Sequence, residues 1–109
     1  MSQPNKTNTS LRHIVMWTLK EEAEGRTKAE NMLKAREVLM SCAALVPGIE
    51  LFEVGLKSDG LDCTCDVILN SVFKDEAALT AYQNHPDHIA IKPFMKAIVA
   101  QRQCMDFWN

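Results

Sequence analysis

A phenol and two imidazoles fall within seven residues in Tyr82-Gln83-Asn84-His85-Pro86-Asp87-His88, and the remaining histidine, His13, stands far upstream. A neutral imidazole can take a proton near pH 7, whereas a phenol with its ordinary pKa of about 10 keeps its proton and donates a hydrogen bond. Together they supply a base and a donor to a developing enolate or carbonyl oxygen, the minimum for removing a proton beside a carbonyl. Pro86 sorts the three groups. Proline suits the first position of a helix, so His88 falls in that helix's first turn, where the positive end of the dipole disfavours imidazolium. Tyr82 lies on the preceding helix. His85, placed directly before the proline, is assigned to capping the break and is structural.

The elements that hold these groups are readable from periodicity. Leu11 to Lys20 reads as a strand rich in β-branched and aromatic residues. Thr27 with Glu30 three residues on is a capping-box pattern, and the apolar spacing that follows predicts a helix to about Leu45, ended by Pro47-Gly48. Ile49 to Leu56 and Cys63 to Phe73 read as two strands of a hairpin around Ser58-Asp59-Gly60. Asp75-Glu76 open a helix that Pro86 interrupts; a second piece is interrupted again near Pro93, and Gln101 to Trp108 closes the chain as a strand. The order β-α-β-β-α-β is α+β and ferredoxin-like, a four-stranded antiparallel sheet with helices on one face.

On the first strand His13 shares a face with Val15, Trp17 and Leu19, which points it toward the helices. Two readings stand for it: a partner of His88 across a cavity, or a core histidine bonded to Tyr82 or to a carbonyl. Trp17, on the same face, bears on the choice, because an indole there can fill the space a substrate needs. On the other face Ile14 and Met16, with further apolar residues among Phe52, Val54, Ile68 and Val72, leave both sides of the sheet apolar. Helices cover only one side, so the expectation is a homodimer through sheet faces.

Arg12-His13-Ile14-Val15, Pro47-Gly48-Ile49, and Phe73-Lys74-Asp75-Glu76-Ala77-Ala78-Leu79 leading into Tyr82 to His88 carry a resemblance. In register over about Leu11 to the C-terminus, the chain resembles the stress-responsive α/β-barrel (Dabb) family. The resemblance implies a dimeric α/β barrel made from two ferredoxin-like sheets, most members having no assigned reaction and plant members being associated with stress or defence. One branch of similar fold cyclises polyketides with a Tyr and a His, and by that similarity Tyr82 and His88 occupy the catalytic-type positions, with His13 the strand histidine of the same cavity. A further strand histidine of that pattern aligns with Val67 here, a departure from it.

Composition bounds the rest. A chain of 109 residues with a net charge of −2 and interspersed charges makes one domain and has no basic face for a nucleic acid or polybasic run for a membrane. Residues 1–10 are polar and read as a flexible N-terminal arm on a cytoplasmic protein, leaving 11–109 as the domain. The four cysteines are expected reduced. Cys63 and Cys65 would supply only two of the four ligands of a structural zinc site, and Asp66 and Asp87 read as solvated or capping carboxylates, so no metal and no cofactor is assigned. The expected protein is a small dimeric stress-responsive barrel domain of unassigned role with a cleft for a small carbonyl-containing ligand. The alternatives are a polyketide-cyclase-like or isomerase-like enzyme using His88, Tyr82 and His13, and a cofactor-independent monooxygenase-like protein.

Overall fold

The computed structural model describes residues 9–109, so most of the expected N-terminal arm lies outside the described residues. Strands β1 (Leu11–Leu19), β2 (Glu22–Ala23) and β3 (Arg26–Thr27) precede helix α1 (Lys28–Met40). Then follow β4 (Ile49–Leu56), β5 (Val67–Phe73), α2 (Glu76–Asn84), α3 (Pro86–Ile98) and β6 (Val99–Trp108). The main sheet has the order β4-β5-β1-β6 with every neighbouring pair antiparallel, which is the ferredoxin-like arrangement.

Local chemistry explains the boundaries. Thr27 and Glu30 close the capping box at α1, with Thr27 Oγ1 accepting from the Glu30 amide at 3.2 Å and Glu30 Oε1 accepting from the Thr27 amide at 2.9 Å. The helix ends five residues before the expected Leu45. There Ser41 Oγ donates to the Val38 carbonyl at 2.6 Å, and Cys42 and Ala43 bond three residues back, tightening the chain into turns. Gly48 (φ 95°) makes the return possible, because a Cβ there would stand 2.9 Å from Ala78 Cβ.

Three other expectations shift. The strand expected from Cys63 starts at Val67, because Asp66 turns its carboxylate inward and accepts the Leu19 amide at 2.8 Å. Helix α3 runs through Pro93 to Ile98 and hands over directly to β6 at Val99 rather than Gln101. Pro93 deletes the donor for the Ile89 carbonyl, but Ile89 is half exposed, so water can serve that group. The connector Glu21 to Arg26 carries the small β2–β3 hairpin, turned at Glu24 and Gly25, both with positive φ.

The alternation in β1 is strict: Leu11, His13, Val15, Trp17 and Leu19 are buried on the helix side, and the residues between them are only partly covered. Two apolar clusters fill the layer between sheet and helices. One gathers Val15, Trp17, Ala35, Leu69 and Ile98; the other gathers Leu11, Phe73, Leu79 and Tyr82. On the opposite face the register brings Ile14 beside Asn70 and Met105, and Met16 beside Ile68 and Gln103. That face therefore carries apolar side chains with no helix over it, as the sequence pattern predicts, while Phe52 and Val54 pack with the helix-side core.

Candidate functional site

Strand β6 is exposed along most of its length, on the helix side as well as the open side. Its helix-side residues Arg102, Cys104 and Asp106 lie opposite the buried Trp17, Val15 and His13 of β1. Helix α3 packs Met95 and Ile98 into the core with Val15, Trp17 and Leu19, and between α2, α3 and the sheet lies a cleft of about 1050 Å³ that β6 lines through Val99 and Arg102. Tyr82, His88 and His13 all line it, and Trp17 forms part of its wall rather than closing it.

Tyr82 is fully buried at the end of α2, with its ring centroid 5.2 Å from that of Phe73 and 5.9 Å from that of Phe52. Its hydroxyl has no hydrogen-bond partner among the described residues. A buried hydroxyl without a partner costs roughly 1–3 kcal/mol, so the aromatic box holds it at the expense of stability. Burial pushes the phenol pKa upward, with the Cys42 thiol adding to the effect, and the group stays protonated through the physiological range.

His88 lies across the α2–α3 break, its ring centroid 4.5 Å from that of Tyr82. The break is built as the proline implies. His85 caps α3, its Nδ1 accepting the Asp87 amide at 3.1 Å, and Pro86 occupies the first turn. His88 Nδ1 is 3.2 Å from the Gln83 carbonyl. A carbonyl only accepts, so Nδ1 carries the proton and the neutral ring keeps its lone pair on Nε2. Burial lowers the His88 pKa, the Gln83 carbonyl opposes that shift, and Lys92, His13 and Arg102 add to it. The imidazole is neutral at pH 7.

Among the described residues the His13 ring is bonded neither to Tyr82 nor to a carbonyl. Its Nδ1 meets Asp106 Oδ1 at 2.5 Å, so a carboxylate on the exposed strand accepts from Nδ1 and fixes the buried imidazole. Ser71 Oγ anchors the His13 main chain from the other side, donating to its carbonyl at 2.6 Å. Sequence reasoning missed Asp106. The only signal was a lone acid in a closing strand, and its meaning depends on the β1–β6 register.

The remaining candidates fall elsewhere. Asp66 is buried as the acceptor for Leu19 and sits 3.4 Å from Lys28 Nζ, and Asp87 lies in the first turn of α3. Cys63 and Cys65 join no third His, Cys, Asp or Glu side chain among the described residues. Val67, at the position of the departure noted above, is buried in the core between Trp17 and Leu56.

Comparison with known proteins places this architecture. A family model described as the stress-responsive A/B barrel domain matches residues 11–109. A dimeric protein of unknown function and ferredoxin-like fold from Bacteroides fragilis is similar at 26% identity and a TM-score of 0.75, over 90% of this chain and 94% of its own. A Dabb family protein with a ferredoxin-like fold from Mesorhizobium loti is also 26% identical, with a TM-score of 0.65 over 92% of this chain and 96% of its own. A dimeric ferredoxin-like protein of unknown function from Thermobifida fusca shares the fold at 21% identity and a TM-score of 0.76, over 91% and 90% of the two chains. No curated protein matches the sequence.

Proposed function

The chain belongs to the stress-responsive A/B barrel domain family, and from that membership we propose a cytoplasmic homodimer, paired through its open sheet faces, whose cleft binds a small carbonyl-containing molecule. The observation that carries the ligand is the unpartnered Tyr82 hydroxyl beneath a cleft that His88 also lines. A ligand carbonyl is the acceptor this hydroxyl lacks. Because the phenol is fully covered, the ligand oxygen reaches it only when the lining side chains, above all the His88 ring packed at a tilt against it, move aside.

The dimer rests on the apolar open face and on the two similar proteins from Bacteroides fragilis and Thermobifida fusca, both described as dimeric. Met105 is exposed there beside the partly covered Ile14, with Met16 and Ile68 paired on the same face, apolar side chains with no helix over them.

A second reading makes the cleft catalytic. The proton on His88 Nδ1 and the bare lone pair on Nε2 suit the ring to abstract a proton beside the carbonyl while Tyr82 steadies the developing oxyanion. This is the proton-transfer step common to isomerase-like and cyclase-like chemistry.

The two readings separate in heavy water with a panel of soluble ketones. Ligand-induced shifts of the His88 ring resonances report binding, and loss of the α-proton signals above the buffer rate reports catalysis. Catalysis predicts that His88→Ala abolishes the excess and that Tyr82→Phe lowers it by about 10²-fold. Binding without exchange removes the catalytic reading, and neither signal for any ketone removes both.

A further inference from the structure

The chain has a net charge of −2, yet the described residues lining the cleft include Lys92, Lys96 and Arg102 and no aspartate or glutamate. Lys92 and Lys96 are four residues apart on α3, so they project from one face of that helix on one bank of the cleft. Arg102 rises from β6 on the other bank, opposite Trp17 in the ladder. None of the three cations makes an ion pair or a hydrogen bond among the described residues. The acid nearest in the register, Asp106, is already taken by His13. Between the banks the walls are apolar, with Val15, Trp17, Leu69 and Met95 among them.

We propose that the cleft selects an apolar molecule bearing a single carboxylate, the apolar body lying along Trp17 and Met95 and the carboxylate bridging the banks between Lys92, Lys96 and Arg102. An apolar wall rewards burial of a hydrocarbon body whatever its head group, so the cations carry the discrimination. Arginine presents its donors in a planar fork that fits a carboxylate, and two ammonium groups opposite complete a three-sided cationic mouth. Unpaired cations also repel a cationic ligand of the same shape, which sharpens the preference. This inference rests on the small-molecule reading of the same cleft and adds the head group to it.

Isothermal titration calorimetry of the full chain tests it with matched probes: octanoate, octanamide and octyltrimethylammonium, and 2-naphthoate against 2-naphthamide. The expected result is that a carboxylate binds about tenfold more tightly than its amide, with the cation weakest and the preference shrinking as salt is raised. The aliphatic and aromatic pairs show which apolar body fits. The double variant Lys92→Gln with Arg102→Gln, both at exposed positions, is expected to keep the thermal midpoint while losing most of the carboxylate preference, Lys96 alone remaining. Equal affinity for carboxylate and amide in the native protein overturns the inference and leaves the cleft reading standing, as does a preference that is undiminished in the double variant. Failure of every probe to bind overturns both.

Discussion

His13 and Asp106 are 93 residues apart in the chain and stand opposite each other across the β1–β6 ladder, their side chains joined from Nδ1 to Oδ1 at 2.5 Å. The pairing crosses from a buried strand to an exposed one, so a buried ring is oriented by a carboxylate that water still reaches. Asp106→Asn should keep the fold and cost about 1 kcal/mol, a charge-assisted hydrogen bond discounted for the exposure of its acceptor. Nitrogen NMR of the imidazoles should show the His13 ring losing its fixed Nδ1–H form. An unchanged tautomer in the variant would mean that the Asp106 contact does not set it.

Tyr82→Phe separates function from stability. Removing a buried hydroxyl without a partner while keeping the ring that packs on Phe52 and Phe73 should leave stability unchanged or raise it by about 1 kcal/mol in urea unfolding. Ligand affinity should fall in the same variant. A loss of stability above about 1 kcal/mol would show that the hydroxyl is satisfied in solution.

His88 makes stability pH-dependent on the acid side. Its native pKa is lowered, chiefly by burial, with Lys92 on its own helix, His13 on β1 and Arg102 on β6 acting in the same direction against the Gln83 carbonyl. Well above the unfolded value of 6.5 the ring is neutral in both states and contributes no pH dependence. As pH falls through that value the unfolded chain takes up a proton that the native state resists, so stability drops. Urea unfolding from pH 7.5 to pH 5 should show this drop, and His88→Gln should flatten it relative to the native protein. Tyr82 acts at the other end, where the unfolded phenol ionises above pH 10 and the native one does not, so stability declines there as pH rises.

Ile14→Lys places a charge in the middle of the open face, beside Met105 and Asn70 and away from the cleft. Light scattering should move from twice the 12.3 kDa chain mass to the single chain mass, with the helix-side core intact. A variant that stays dimeric would place the interface elsewhere.

Much of the architecture is legible without coordinates because its causes are local. Thr27 and Glu30 announce α1, Pro86 positions the break between Tyr82 and His88, and the alternation from Leu11 to Leu19 marks a strand with one buried face. Local patterns misjudge the ends of elements where a side chain overrides the backbone, as Ser41 does at the end of α1 and Asp66 does before β5. The β2–β3 hairpin escapes notice because two-residue strands carry no period.

The sequence by itself determined the ferredoxin-like order of elements, the placing of Tyr82 and His88 on either side of the break at Pro86, and the helix-side face of β1 for His13, since periodicity and caps act over a few residues, while motifs in register carried the family resemblance. Only the tertiary structure decided what surrounds them. The β1–β6 register gave His13 the Asp106 carboxylate as its partner, and the packing of α2 and α3 over the sheet left a cleft in which Trp17 is a wall residue. Register and coverage depend on how distant segments pack, and no local spacing encodes them.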